Sequence, residues 1–481
     1  MIFTIAPLFR VQKAAVSLYN INMPNFRKID KKDIGLIRPC LVSSARFCTK
    51  AIGVMYMWSD YFGTEIAPYE GGVIVKDHLF GEDLFMVPRG EKADAAFATI
   101  EAYERERGGD LVFHSVDDDD LSLLFSRYPA IEVKSYRDYS DYLYLVSDLA
   151  EYKGKKYHGQ KNHKNRFLKE YPDYEFLPFG KEDLPAIYAF LEEHKALSPR
   201  SKEELIEYEA CYRLLDAMDK LDLLTAMIRV KGKIVAVSVG EVLNDTLIIH
   251  IEKALAAYSG VYPTMCSLFA AKYGAGLTYV NREDDAGDEG LRTSKMQYHP
   301  IALVEKRWAV CHLSKRFDLP VLFTDRLVVD RLSASDMAEY AALATDEERN
   351  RYWGYDYKVD LGEDAPDAAH FERVLTEDEG RGVAYSRKIS DLSGAFVGEA
   401  VVYNFRLDGS GELGLRVTSA MAGKGYGREA YKAVADEMIK RLPKLHARCY
   451  KENAQSKKMI LAAGFREVGE SDEMYYFVRE K

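Results

Sequence analysis

The sequence predicts an α/β (α+β) protein of mixed sheets, in which helices and antiparallel hairpins alternate. Three observations lead there. Helix-period and strand-period apolar patterns take turns along the 481 residues. Short glycine turns join successive strands, as at Lys231-Gly232-Lys233 and Ser393-Gly394. No short fixed period recurs, which excludes solenoids and propellers. The length suits roughly three units at about 150 residues each, and 33 Tyr with 22 Phe supply packed cores.

In chain order, residues 1–23 read as an extension, with Arg10 and Lys13 but no acid in the first 22 positions. Four consecutive carboxylates, Asp117 to Asp120, are expected on a solvated loop because they repel one another. Glu151 to Glu170 carries six Lys and one Arg against two Glu. Helical spacing then runs from Pro185 to Leu197 and from Lys202 to Met218. Leu223 to Val230 and Ile234 to Leu243 read as a hairpin, and Thr246 to Ile251 continues its sheet. The stretch Leu313 to Pro320 is poor in apolar residues and divides a front region, 24–312, from a C-terminal region, 320–481. Beyond it come a strand at Leu327 to Leu332, a helix capped by Ser333 and a hairpin of Val383 to Ile389 with Ala395 to Tyr403. A strand at Glu412 to Thr418, a helix at Tyr426 to Lys440, a strand at Leu445 to Tyr450, a helix at Ala454 to Ala463 and a strand near Tyr475 to Val478 follow.

A net charge of -10 argues against general capture of nucleic acid or anionic lipid. The six cysteines (Cys40, Cys48, Cys211, Cys266, Cys311 and Cys449) form no CxxC pair. They read as reduced thiols of a cytoplasmic protein, with no metal site and no disulfide framework. No apolar run approaches the roughly 18 residues of a membrane span.

The sharpest local signal is Met421-Ala422-Gly423-Lys424-Gly425-Tyr426-Gly427-Arg428, after a strand and opening a helix. Alternate glycines allow a tight turn, and the first amides of a helix are ready donors for a phosphate. Gly425 after Lys424 fails the Walker pattern, and Arg428 stands where a dinucleotide fingerprint needs its third glycine. Coenzyme A fits better.

With Thr324-Asp325-Arg326-Leu327-Val328-Val329-Asp330-Arg331-Leu332, Arg351-Tyr352-Trp353-Gly354, Asn453-Ala454-Gln455-Ser456 and Ala463-Gly464-Phe465 in order around it, the C-terminal region resembles the GNAT N-acetyltransferases. The likeness is to the branch that acetylates ribosomal-protein N-termini. The family's Gln/Arg-x-x-Gly-x-Gly/Ala motif falls on Ala422, Gly425 and Gly427, with Ala422 in place of the charged or amide residue. The resemblance implies acetyl transfer from acetyl-CoA to an amine by direct attack. It implies cofactor contacts at Arg416, Val417, Thr418, Gly423, Lys424, Gly425, Tyr426, Gly427, Arg428, Asn453 and Ser456. Such chemistry needs a base, a carbonyl polariser and an acid for the leaving thiolate. The expected base is Glu412, with Glu399 as its rival. The polariser is a backbone N–H near Arg416 to Thr418, where the strands part. The acid is Ser456, or Tyr475 or Tyr476. Substrate selection is expected in loops such as Asp356 to Pro366.

Residues of about 24 to 310 resemble a bacterial family related to the C-terminal domain of phosphatidylglycerol lysyltransferase. The matching stretches are Gly154 to His158, Asn162 to Phe167, His250 to Ala254 and Tyr279 to Arg292, ending in Lys295 and Tyr298-His299-Pro300. This resemblance implies two further GNAT-like units, three in tandem along the chain. It also implies a functional lysine in Gly290-Leu291-Arg292-Thr293-Ser294-Lys295. Lys156, His158, Arg166, Arg292 and Lys295 form the expected front site, for a phosphorylated ligand or a tRNA acceptor end. The alternatives to acetyl transfer are therefore aminoacyl transfer by the front region and a front region that only binds a ligand.

Overall fold

The computed structural model describes residues 24–69, 72–79, 81–197, 201–353 and 366–481. The expected extension at 1–23, Gly354 and the Asp356 to Pro366 loop apart from Pro366 lie outside them.

Three sheets form the framework. In the first, the spatial order is Arg27–Lys28, Glu65–Tyr69, Gly72–Leu79, Glu82–Met86, Leu111–Val116, Arg307–His312 and Ala130–Ser135. The second runs Glu175–Leu177, Leu224–Val230, Lys233–Leu243, Thr246–Ala254, Tyr279–Asn281, Asp141–Leu145 and Ala302–Val304. The third runs Leu322–Phe323, Leu327–Arg331, Ala384–Asp391, Phe396–Tyr403, Gly411–Val417, Lys444–Tyr450, Met474–Glu480 and Arg466–Glu470.

The three share a plan. An antiparallel run meets one parallel junction, after which two more strands pair antiparallel. Each junction is short, pairing only Phe85↔Phe113 and Met86↔His114 in the first sheet and Gly411↔Leu445 and Glu412↔His446 in the third. Beyond those residues the strands part. The first two sheets also exchange a strand. Asp141–Leu145 follows the first sheet's Ala130–Ser135 in sequence yet pairs in the second, while Arg307–His312 leaves the second and completes the first.

The hairpins, strands and helices expected from periodicity form with ends within a few residues, including Leu224–Val230 with Lys233–Leu243 and the helix Tyr426–Met438. That helix buries Ala430, Tyr431, Val434, Ala435 and Met438 against the third sheet, as its apolar stripe requires. The acidic cluster corrects the expectation. Asp117 caps the helix Asp118–Arg127, and Asp117 and Asp120 are buried against Arg89 and Lys50, so opposite charges replace solvent. Leu313 to Pro320 has no regular structure, but it is pinned to the third sheet by Leu313 N–H donating to Phe405 O and Lys315 N–H to Gly382 O. The adjoining turn inserts Leu407 into the first sheet's apolar core beside Leu313. Among the described residues no helix is long and apolar enough to cross a membrane.

Candidate acyl-transfer site

A cavity of about 1610 Å³ opens where Gly411–Val417 and Lys444–Tyr450 diverge. The helix Tyr426–Met438 starts on its wall. Gly423 and Gly425 hold φ of +77° and +81°, backbone that glycine reaches without strain. Gly425 precedes the helix with no side-chain cap, so the first amides, at Tyr426, Gly427 and Arg428, have no intrahelical acceptor. A Cβ on Gly427 would stand 3.3 Å from Val417 Cγ2, so glycine there lets the helix lie against the parted strand.

The same strand supplies a second set of donors. Thr418 N–H donates to Val397 O at 2.9 Å, and bonding alternates along an antiparallel pair. Arg416 therefore also bonds across to Phe396–Tyr403, whereas Leu415 and Val417 turn their amides toward the gap. Of the expected Arg416 to Thr418 donors, Val417 alone meets the geometry. Leu415 was missed, although alternation from Val417 would have found it.

The side chain of Arg416 is structural. It pairs with Glu399 at 2.7 Å, donates to Tyr340 Oη and Asn350 Oδ1, and lies 4.6 Å from the Trp353 ring centre. Burial opposes its charge, and Glu399 and Tyr340 more than restore it. Glu399 is thereby held as the partner of Arg416.

Glu412, the expected base, is 2% exposed. It pairs with Arg448 Nε at 3.0 Å and accepts from Tyr403 Oη at 2.9 Å and Asn404 Nδ2 at 3.0 Å. Burial alone would raise its pKa, but Arg448 and Arg406, helped by those hydrogen bonds, pull it down to about 2. Such a carboxylate resists protonation and is ill suited to take a proton near neutral pH.

Asn453 and Ser456 line the cavity, with Asn453 Oδ1 capping the helix Ala454–Ala462 by accepting from Ser456 N–H. Cys449 lines it as well, and burial pushes its thiol up to about 11. Tyr475 does not line it. Met474 does, and strand alternation turns Tyr475 to the other face, where Lys457 Nζ stands 3.4 Å from its ring centre. Tyr476 is placed elsewhere too, its hydroxyl 3.4 Å from Ser471 Oγ. Thr418 and Lys424 lie outside the lining. Arg326, missed in the sequence, lies within it. Tyr340, Tyr352, Trp353 and Phe371 also line the cavity, as do the exposed Glu348 and Glu452.

The front residues behave differently. Arg292 is bonded to Asp285 and Asp138 at 2.9 and 2.7 Å, and Lys295 is buried with its ammonium donating to the carbonyls of Arg282 and Asp284. Burial lowers the pKa of Lys295. Lys156 pairs with Asp148 and Arg166 with Glu170, and His158 is exposed at the start of the helix His158–Glu170. Each of the four cations is thus held by acceptors of its own. The second sheet's corresponding helix, Val261–Tyr273, also starts on a left-handed glycine, Gly260 at φ +85°. A Cβ there would stand 2.0 Å from His163 O, so glycine at this position lets the helix His158–Glu170 pack against that helix start.

Two buried charge clusters lie nearby. His250 stands between Glu241 and Glu283 at 3.0 and 2.9 Å. Burial would lower its pKa, but the two carboxylates lift it to about 9. Cys48, Asp141 and Asp284 bring possible metal donors within 4.8 Å of one another among the described residues. Lys306 Nζ bonds both carboxylates, at 2.6 and 2.5 Å, and supplies the positive charge there.

Residues 44–311 match the phosphatidylglycerol lysyltransferase C-terminal family, and residues 326–466 match the acetyltransferase (GNAT) domain. A solved conserved protein of unknown function from Bacteroides thetaiotaomicron is 28% identical, with 60% of this chain and 100% of that one covered and a TM-score of 0.52. The C-terminal domain is similar to the ribosomal-protein-S5-alanine acetyltransferase of Vibrio fischeri, at 18% identity over 34% of this chain and 97% of that one with a TM-score of 0.28. It is also similar to the spermidine N-acetyltransferase of Vibrio cholerae, solved with CoA and spermine, at 15% identity over 33% and 96% with a TM-score of 0.29. No curated protein matches the chain.

Proposed function

For a chain that belongs to the phosphatidylglycerol lysyltransferase C-terminal family and carries a GNAT acetyltransferase domain at its C-terminal end, we propose N-acetyl transfer from acetyl-CoA to an amine in residues 320–481. The observation that carries the reading is the uncapped helix start at Gly425, opening on a strand gap with inward amides at Leu415 and Val417. The strand plan common to the three sheets supports reading 24–312 as two further GNAT-like units.

In this reading the Tyr426, Gly427 and Arg428 amides hold the carrier's diphosphate, and Gly423 and Gly425 keep the approach clear. Leu415 and Val417 donate to the carrier's arm and to the thioester carbonyl, stabilising charge that develops on oxygen. Asn453 shapes the wall beside the arm. The acceptor enters past Tyr340, Tyr352 and Trp353 as the neutral amine, its proton passing to water at the rim. The C–N bond forms and the C–S bond breaks; the proton that the attacking nitrogen sheds as it becomes an amide ends on the departing sulfur, giving the thiol, and Ser456 donates a hydrogen bond to that sulfur as it leaves. Glu412 positions Tyr403 and Arg448 and leaves the proton transfer to water. The reaction is assigned to the cytoplasm, in keeping with six free cysteines.

A second reading concerns the front region. There a buried Lys295 of lowered pKa is held by a loop whose Glu283 and Ala286 adopt left-handed φ of +58° and +46°. Strain at non-glycine residues marks sites under functional constraint. Aminoacyl transfer from a tRNA donor is the activity that fits the family. Calorimetric titration of the full chain with acetyl-CoA and with tRNA separates the readings, followed by thiol-release assays over a panel of amines. Saturable acetyl-CoA binding and amine-dependent thiol release are expected. Absence of both would refute the first reading, and salt-sensitive tRNA binding would favour the second.

A further inference from the structure

We propose that Arg326 supplies the phosphate-binding cation that Ala422 does not, an inference that rests on the acetyl-CoA reading of the loop. Ala422 offers backbone only. Arg326 comes from a different part of the chain, the turn ahead of Leu327–Arg331, and is brought to the loop by tertiary packing. Its Nη1 donates to Lys424 O at 3.0 Å, and its guanidinium carbon lies 4.8 Å from the Tyr426 ring centre. Its Nη2 stands 3.4 Å from where a Cβ on Gly425 would be. The guanidinium thus lies beside the two glycines and the first helical residue, at the cavity wall.

Glu429 fixes this placement. Its Oε2 accepts from Arg326 Nε at 2.7 Å and stands 2.6 Å from Nη2, while Oε1 accepts from the Arg326 amide at 3.0 Å and the Thr324 hydroxyl at 2.6 Å. A guanidinium has five N–H donors, and these partners leave donors on Nη1 and Nη2 for an oxyanion. The side chain is 48% exposed, so a ligand can reach it. Arg326 also has a second effect. Glu429 lies in the first turn of the helix whose amides face the ligand. Without its partner that carboxylate would repel a diphosphate, and Arg326 cancels the repulsion while adding a forked donor suited to phosphate oxygens.

The test is calorimetric titration of the full chain with CoA and with pantetheine, which lacks the diphosphate. Wild type, Arg326→Ala, Arg326→Lys and the double variant Arg326→Ala/Ala422→Arg are compared, with melting temperatures as the folding control. One lost charge-assisted contact predicts CoA binding about 10- to 50-fold weaker in Arg326→Ala. Pantetheine binding should be unchanged, Arg326→Lys intermediate, and the double variant largely restored. If Arg326→Ala is unfolded, Arg326→Lys decides, being expected to weaken CoA and spare pantetheine. CoA affinity equal to wild type, or an equal loss for pantetheine, would overturn the assignment of Arg326 while leaving the acetyl-CoA reading standing. A wild-type chain that binds no CoA would overturn that reading, and this inference with it.

Discussion

Replacing Glu412 by Gln keeps the shape of the cavity's inner wall and removes the charge that Arg448 faces. The carboxyl falls from an ordinary 4.5 to about 2 in the folded chain, which corresponds to about 3 kcal/mol of stability at neutral pH. Because the folded value is depressed, that stabilisation is present above the unfolded pKa and is lost as pH falls from about 4.5 through 2. Leaving Arg448 buried without its partner puts the expected cost of Glu412→Gln at about 3–5 kcal/mol. For a unit of this size that is a drop of roughly 10 °C in Tm. The assay pairs thermal melts between pH 3 and 8 with kcat per folded molecule. A large loss of stability, a flattened acid limb and a largely retained kcat are expected. Taking a proton from an amine of pKa about 8 onto a group near 2 is uphill by roughly 8 kcal/mol. A variant that melts within 2 °C of wild type yet loses kcat a hundredfold or more would refute this reasoning and restore Glu412 as the base.

Three further outcomes are expected. His250 is raised to about 9, so its contribution is complete below about pH 6.5 and lost as pH rises through 9. Denaturant titrations of His250→Asn from pH 6 to 10 should therefore show a weakened front region with a flattened alkaline limb, and an unchanged limb would contradict the pairing. Gly425→Ala places a Cβ on backbone at φ +81°, costing about 1–2 kcal/mol and weakening CoA binding, as melts and titration together would register. Leu407→Ala empties a 6%-exposed position in the first sheet's core, costing roughly 2–4 kcal/mol. The variant should separate the melting of the front and C-terminal regions, and a single unshifted transition would argue that the turn carries no coupling.

The loop and its helix were legible because their causes are local. Glycines at alternate positions, a strand before and an apolar stripe after need no distant partner, and Gly423, Gly425 and the stripe from Ala430 to Met438 occupy the roles their spacing implies. Charged residues were less legible. Glu412 looks like available chemistry in the sequence, yet Arg448 claims it in the fold, and of the acids near Arg292 in sequence it is Asp285 that takes it. Tyr475 was a candidate only because strand phase cannot be set without the neighbouring strands, and Met474 takes the cavity face.

The sequence by itself determined the order of helices and hairpins, the glycine turn that opens the last long helix, and the motifs that place the C-terminal region among acetyltransferases. Those features rest on periodicity and on backbone freedom, which act over a few residues. Only the tertiary structure decided that Asp141–Leu145 and Arg307–His312 trade sheets, that His163 packs against Gly260, and that Arg326 arrives beside Gly425. Each of these depends on which surfaces meet across nearly a hundred residues or more, and strand pairing and ion pairing are selected by burial of the partners together.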